Sequence, residues 1–506
     1  MVQPLTVVIK LGSSSILHPE PPYLPQIATL SALAETCVSL RALGHRVVIV
    51  SSGAIGMGLH RMEMPALAGG KKRAIGEKQA LAAIGQGRLI ALWDQIFGAL
   101  KQPIAQILMT RNDIADRSRY LNATTTLSTL LGMGVIPIIN ENDTISVSEI
   151  LHVNKFGDND TLSAIAAGMC GADYLFLMTD VDGLYEDNPR RVPGARRVAV
   201  VRDIEEVRRL VSTSTLGSSL GTGGMETKLI AAELATAAGC ATVITMGSFP
   251  GRVVSIVQAH QSRTAPPSPQ APSHATLPST STSSSSSYSA AAADPGTATP
   301  VDRDPPSVTH KAGVEFTLPT STVPPHTLFT AKPSPLSSRR FWILHGLTPR
   351  GTVYVDEGAF RAIAHGERDA GSGGNGGRLL AAGVLRVEGT FAAGQAVRVC
   401  VIRGRTGNSE RRRARAASPR QDGDGDELAE GVDGLEVAPS AARSEAVQEG
   451  EEVIEFGRGL TNYNSIEIDR VKGLRSSDIE RVLSHYDAEH VVESIVELRL
   501  AGGKGL

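Results

Sequence analysis

"TVVIKLGSSS" (residues 6–15) drives an unbroken run of β-branched residues into a lysine, a glycine and three serines. An apolar run without polar alternation fits a strand buried on both faces, as in a parallel sheet. Four more runs share its character: "RVVIV" (46–50), "GVIPIIN" (134–140), "DYLFLMT" (173–179) and "ATVITMG" (241–247). Helical patterns separate them. In one, Ile27, Leu30, Leu33, Ala34, Val38 and Leu40 recur at helical spacing, and Gly44 follows as a stop. Strand–helix alternation of this kind implies right-handed crossovers. The predicted fold class is therefore α/β: a three-layer α/β/α sandwich around a mainly parallel central sheet.

In such sheets ligands gather beyond the carboxyl ends of the strands. Here those ends read "KLGSSS", "SSGAIGMG", "NENDT" and "TDVDGLY". A further segment, "SLGTGGMETKLIAAELATAAG" (219–239), places Gly221, Gly223, Gly224 and Lys228 where a helix begins. Glycines let backbone N–H groups approach a ligand, and a helix N-terminus favours an anion. The segment alone also reads as a flexible loop, so the rest of the chain decides its meaning.

Length and composition set the outer limits. A chain of 506 residues exceeds one compact core, so at least two domains are expected. A net charge of −2 carries no basic excess pointing to nucleic acid. Cys37, Cys170, Cys240 and Cys400 lie too far apart for a zinc or dithiol motif, which suits a reducing compartment. No apolar run reaches the roughly 18–20 residues of a membrane span, and the first residues resemble no leader. A cytoplasmic protein without membrane contact is expected.

Residues 1–260 form the predicted α/β domain. Residues 261–336, rich in Ser, Thr, Pro and Ala, read as a disordered tether. Residues 337–500 read as a small β-rich module with strand-like pieces at "LLAAGVLRVEGTF", "QAVRVCVIRGR" and "NSIEIDR". Polar insertions interrupt it near 366–377 and 406–450, the latter joining "RRRARAASPR" to "DGDGDELAEG". Every candidate catalytic residue precedes the tether, so residues 261–506 are expected to be dispensable for a folded catalytic domain.

Phosphoryl transfer asks a protein mainly for positioning and charge neutralisation. The sequence lacks GxxxxGK[ST] and the HRD and DFG motifs, so another phosphate scaffold is needed. Lys10, at the end of the first strand, and Lys228 form a candidate clamp. Asp160 in "GDND" reads equally as a partner to those cations or as a helix N-cap.

Together "VVIKLGSS", "VVIVSSGAIGMG", "VIPIINENDT", "FGDNDTLSAIAA", "LMTDVDGLYEDNPR" and "SLGTGGMETK" resemble, in order over residues 5 to about 258, the amino-acid kinase family and within it the glutamate 5-kinases. "RRFWI", "VDEGA" and "GLTNYNS" make the C-terminal module similar to a PUA domain, a small β-rich barrel. The resemblance implies ATP, with Mg2+ accompanying it, and L-glutamate as the carboxylate acceptor in the first step of proline biosynthesis. It implies catalytic roles for Lys10, Lys228 and Asp160. Ser52, Gly53, Ala54, Asn142, Asp143, Asp158 and Asn159 would bind glutamate. Lys10, Thr179, Asp180, Thr222, Gly223, Gly224, Met225, Glu226, Thr227 and Lys228 would bind the nucleotide. No residue is assigned as a metal ligand.

The resemblance also implies a homo-oligomer, names proline as a candidate feedback inhibitor near Asp113, Asp143 and Glu149, and names a glutamyl-phosphate reductase as a candidate partner. Other readings are a kinase of the same family acting on a different carboxylate, or an RNA-binding protein working through the PUA-like module.

Overall fold

The computed structural model describes residues 3–65, 73–146, 159–189, 191–192, 194–210, 224–264, 310–311, 314–316, 323–366, 377–402, 452–483 and 488–498. The chain divides into two compact units. One comprises residues 1–108, 128–236 and 240–331; the other comprises 109–127, 237–239 and 332–506.

The five apolar runs become strands of the first unit: β1 (Thr6–Leu11), β2 (Arg46–Ser51), β4 (Ile136–Glu141), β5 (Tyr174–Thr179) and β8 (Ala241–Met246). A further strand, β3 (Ile104–Met109), lies at one edge. Pairings β2–β4, β1–β2, β1–β5 and β5–β8 are all parallel, giving the spatial order β3-β4-β2-β1-β5-β8 with β1 inside. This is the predicted mainly parallel sheet.

Alternation along β1 sorts its side chains to two faces. Val7, Ile9 and Leu11 join a core with Leu30 and Leu33 of the Ile27–Ala42 helix, Trp93 and Phe97 of the Ile75–Ala99 helix, and Ile256 of the Arg252–Thr264 helix. Val8 and Lys10 have the opposite parity and therefore face the other layer. There the Asn159–Cys170 helix buries Leu162, Ala164, Ile165 and Ala166. Parity thus decides which helix Lys10 can reach.

The sheet does not end at β8. Short strands β6 (Leu184–Tyr185), β7 (Arg197–Val201), β9 (His310–Lys311), β10 (Val314–Phe316) and β11 (Thr327–Phe329) extend it in the order β8-β11-β7-β10-β9, with β6 also on β7. β11 pairs antiparallel with β8 and parallel with β7, so it is an internal strand. Residues 310–329 fall within the segment read from sequence as tether, and β9, β10 and β11 within it belong to the sheet. Three-residue strands among prolines and threonines carry almost no periodic signal, and their partners lie far away in sequence. Residues 261–264 of the expected tether end the Arg252–Thr264 helix, while residues 265–309, 312–313 and 317–322 lie outside the described residues.

Among the described residues, the second unit carries a six-stranded, mostly antiparallel sheet. In spatial order it runs β13 (Gly377–Leu380), β17 (His490–Glu497), β16 (Val453–Thr461), β15 (Ala396–Ile402), β12 (Gly351–Val355) and β14 (Val384–Gly389). Val353, Val355, Val397, Val399, Phe456 and Ile495 form its core. "NSIEIDR", expected as a strand, is instead a helix, Ser465–Val471. Asn464 caps it by accepting from the Ile466 and Glu467 N–H groups, and Glu467 returns a bond to the Asn464 N–H. This capping box outweighs the apolar alternation. The insertions at 367–376 and 406–450 lie outside the described residues.

Candidate active site

β1 ends between its neighbours so that Lys10 aligns with Val50 of β2 and Leu177 of β5. The lysine is buried and needs a counter-charge. Asp160, in the first turn of the Asn159–Cys170 helix and fully buried, supplies it. Lys10 Nζ lies 2.5 Å from Asp160 Oδ1. Lys228, in the first turn of the Met225–Ala237 helix, approaches the other oxygen, with Nζ 3.1 Å from Asp160 Oδ2. Thr227 Oγ1 lies 2.8 Å from that same Oδ2 and 2.8 Å from the Gly224 carbonyl. Asp160 therefore acts as a brace between the lysines, and the N-cap reading of its side chain is set aside.

Burial on its own would push the Asp160 carboxyl up. The charges of Lys10 and Lys228, with hydrogen bonds from Lys10 and Thr227, override it and hold the group well below the usual carboxylate range. The trio carries one net positive charge at the end of β1, beside the first turns of two helices. Such a cluster suits a transferring phosphoryl group.

The strand order then sorts the remaining candidates. On the β2/β4 side, Ser52 follows β2 and Asn142 and Asp143 follow β4. Asn159 Nδ2 donates to Ser52 Oγ at 3.0 Å, joining two candidates 107 positions apart. Gly53 adopts φ +105°, a left-handed conformation that glycine tolerates, and so opens the Ala54–Arg61 helix behind Ser52. Asp143 is buried, and the Asn142 carbonyl accepts from the Ile145 and Ser146 N–H groups, closing a turn. On the β5/β8 side stand Thr179 and Asp180, whose side chains are hydrogen-bonded at 3.1 Å. The Gly247 N–H, just past β8, donates to the Thr179 carbonyl at 2.6 Å. Gly224, Met225, Glu226 and Thr227 lead into Lys228 at the helix start. Asp158, Thr222 and Gly223 lie outside the described residues, as do Gly221 and Glu149.

Sequence reasoning missed the Ile75–Ala99 helix, which supports the segments at the ends of β2 and β4. The Trp93 indole N–H donates to Ser51 Oγ at 3.4 Å, and Ser51 Oγ donates to the Ser52 carbonyl at 3.1 Å. Asn140 Nδ2 donates to Gln86 Oε1 at 2.8 Å, and Gln79 Nε2 donates to the Thr144 carbonyl at 3.1 Å. Gly85 packs so tightly that a Cβ there would lie 1.8 Å from the Ala54 carbonyl oxygen. The available signal was "GQG" (85–87), since glycine inside a helix costs about 1 kcal/mol and marks close packing.

The amino acid kinase family matches residues 5–246, a range that holds every candidate catalytic residue. A probable glutamate 5-kinase of Schizosaccharomyces pombe is 41% identical over 487 residues, covering 96% of this chain and 91% of that protein. The chain belongs to the glutamate 5-kinase family. The glutamate 5-kinase of Rippkaea orientalis is 37% identical over 487 residues, covering 96% of this chain and 97% of that protein. Both family relatives therefore extend through the second unit as well. Among solved structures, a carbamate kinase from Giardia lamblia bound to AMP-PNP aligns with TM-score 0.37 and 18% identity over 51% of this chain and 97% of that one.

Proposed function

We propose that this chain transfers the γ-phosphoryl group of ATP to the side-chain carboxylate of L-glutamate, yielding L-glutamyl 5-phosphate and ADP. The observation that carries the reading is the Lys10–Asp160–Lys228 trio at the end of β1, between an acceptor side and a nucleotide side.

The chemistry follows from charge. A glutamate side chain is already ionised near neutrality, so the acceptor needs no general base. One carboxylate oxygen attacks phosphorus as the bond to the bridging oxygen breaks, and ADP leaves with that electron pair. Negative charge spreads over the three equatorial oxygens during transfer. Lys10 meets it from the acceptor side and Lys228 from the nucleotide side. Asp160 pairs with both ammonium groups and holds them in place. Ser52, Asn159 and the amides at Gly53 and Ala54 hold glutamate, with Asn142 and Asp143 beside them. Asp143 would pair with the α-ammonium and the Asn159 amide with the α-carboxylate. Asp158, Thr222 and Gly223 are assigned to the same pockets by position in sequence.

Mg2+ belongs to this reading as part of the nucleotide. Both Asp160 oxygens are engaged by cations, which fits a metal held by phosphate oxygens and water rather than by that carboxylate. Its contribution would be to neutralise the β- and γ-phosphates.

The same reading carries several further proposals. The reaction is the first step of proline biosynthesis, inhibited by proline, in a cytoplasmic homo-oligomer that passes its acyl phosphate to a reductase. The six-stranded unit is a PUA-like domain. The test is a panel of acceptors with the purified chain, namely L-glutamate, L-aspartate, N-acetyl-L-glutamate, carbamate and UMP. ADP should form with L-glutamate alone, and hydroxylamine should trap the product as a hydroxamate. Stimulation by another acceptor and not by L-glutamate overturns the assignment.

A further inference from the structure

Thr327 lies within the Ser/Thr/Pro-rich segment read from sequence as a tether, yet it is fully buried in the first unit. Its hydroxyl has two partners. The Leu184 N–H, 143 positions earlier, donates to Thr327 Oγ1 at 2.7 Å. The hydroxyl in turn donates to the Val198 carbonyl at 2.6 Å. One side chain thereby satisfies a buried backbone donor on the turn after β5 and a backbone acceptor on β7.

That turn is "TDVDGLY" (179–185), which starts at the two residues assigned to the nucleotide side. Its neighbours leave it little freedom. At Gly183, an added Cβ would lie 2.8 Å from Thr327 Oγ1 and 2.8 Å from Arg197 Cδ. Asp182 accepts from the Tyr185 phenol at 2.7 Å, and Arg197 Nη1 stands 3.9 Å from Asp182 Oδ2. At the front of the turn, the Gly247 N–H holds the Thr179 carbonyl. The turn is thus pinned at both ends. The rear pin comes from β11.

We propose that Thr327 is a positioning residue for ATP: its hydroxyl fixes the 179–184 turn so that Thr179 and Asp180 meet the nucleotide. The inference rests on the reading of that side of the sheet as the nucleotide side. The physical argument is satisfaction of buried polar groups. Without the hydroxyl, the Leu184 N–H and the Val198 carbonyl both lose a partner in a site closed to water, and the turn must move to find others. The described residues of the loops after β2 and β4 lie across β1 from this bond.

The test uses the full chain carrying Thr327→Val, which keeps the shape and removes the hydroxyl, and Thr327→Ser, which keeps the hydroxyl. Thr327→Val should raise KM for ATP by about tenfold, the worth of a buried hydrogen bond, with KM for L-glutamate unchanged. Thr327→Ser should restore the wild-type value. A purely structural threonine would instead lower the thermal midpoint and shift both KM values together, and that result overturns the proposal. So does Thr327→Val with an unaltered KM for ATP. Should Thr327→Val fail to fold, Gly183→Ala displaces the same turn, and an unchanged KM for ATP there is equally fatal. Titration calorimetry with AMP-PNP separates the two readings. A wild-type chain that binds AMP-PNP but shows no L-glutamate-dependent ADP formation fails the proposed activity, while the Thr327 variants still decide the turn.

Discussion

Lys228 and Asp160, 68 positions apart, meet in the protein interior with Nζ 3.1 Å from Oδ2. A buried ammonium so placed is already desolvated and held before substrate arrives, which is the condition for a large electrostatic effect. Lys228→Ala should therefore lower kcat by about 10²- to 10³-fold while the protein stays folded. Steady-state ADP formation checks it, and near-wild-type kcat would remove Lys228 from the proposed chemistry.

The same pair has a pH signature. Because the folded-state pKa of Asp160 lies below its ordinary 3.8, the stabilisation from its charge is complete above that value and is lost only as pH falls below it. Asp160→Asn leaves two buried ammonium groups without their carboxylate, a change that costs about 3–5 kcal/mol. Between pH 5 and 7 the variant should melt below wild type by a constant margin, and the margin should shrink below about pH 4. Thermal melts across pH decide it. A margin that closes between pH 7 and 5 contradicts a depressed carboxyl.

What was legible in the sequence follows from how far each signal reaches. β1, β2, β4, β5 and β8 announce themselves because strands covered on both faces are continuously apolar, and their polar ends mark the site. Lys10 and Lys228 were legible as a candidate pair because each sits where a strand ends or a helix begins, whereas Asp160 read equally as an N-cap and took its catalytic role from the family resemblance. β3 was not, because Gln106 breaks its apolar run and the strand lies at the sheet edge with much of it accessible. β11 was not, because three residues cannot show a period and their meaning depends on β7 and β8. The capping box at Asn464 was present in the sequence, but the alternation of Ile466, Glu467 and Ile468 favoured a strand.

Gly85 yields a prediction with an internal control. A methyl group there must displace the Ala54 carbonyl or the Gly58 amide, both backbone atoms of the helix that opens behind Ser52. Gly87, two residues along the same helix, has open space around an added Cβ. Gly85→Ala should raise KM for L-glutamate by about tenfold or more, because strain at the Ala54 turn moves the acceptor site. Gly87→Ala should leave KM unchanged and slightly raise stability, since alanine is favoured over glycine in a helix by about 1 kcal/mol. Equal effects of the two variants, measured as KM for glutamate beside KM for ATP, would count against the close contact.

Truncation separates sequence boundary from structural boundary. All candidate catalytic residues lie before residue 261, so the sequence alone favours a chain ending there as a complete catalytic unit. β11, however, occupies the space between β8 and β7, and β10 covers the other side of β7. Removing residues 261–506 strips β8 and β7 of hydrogen-bonding partners and leaves the Leu184 N–H without Thr327. It also exposes the pocket filled by Phe329, which is fully buried. Opening a site of that size in a core costs about 3–5 kcal/mol before the lost strand pairings are counted, a large part of the stability of an ordinary domain. A chain ending at residue 260 should therefore be insoluble, or fold without a cooperative thermal transition, and lack ADP-forming activity. Solubility, circular dichroism melts and activity of that truncated chain provide the check. A stable, active product would mean that β10 and β11 merely decorate the sheet edge.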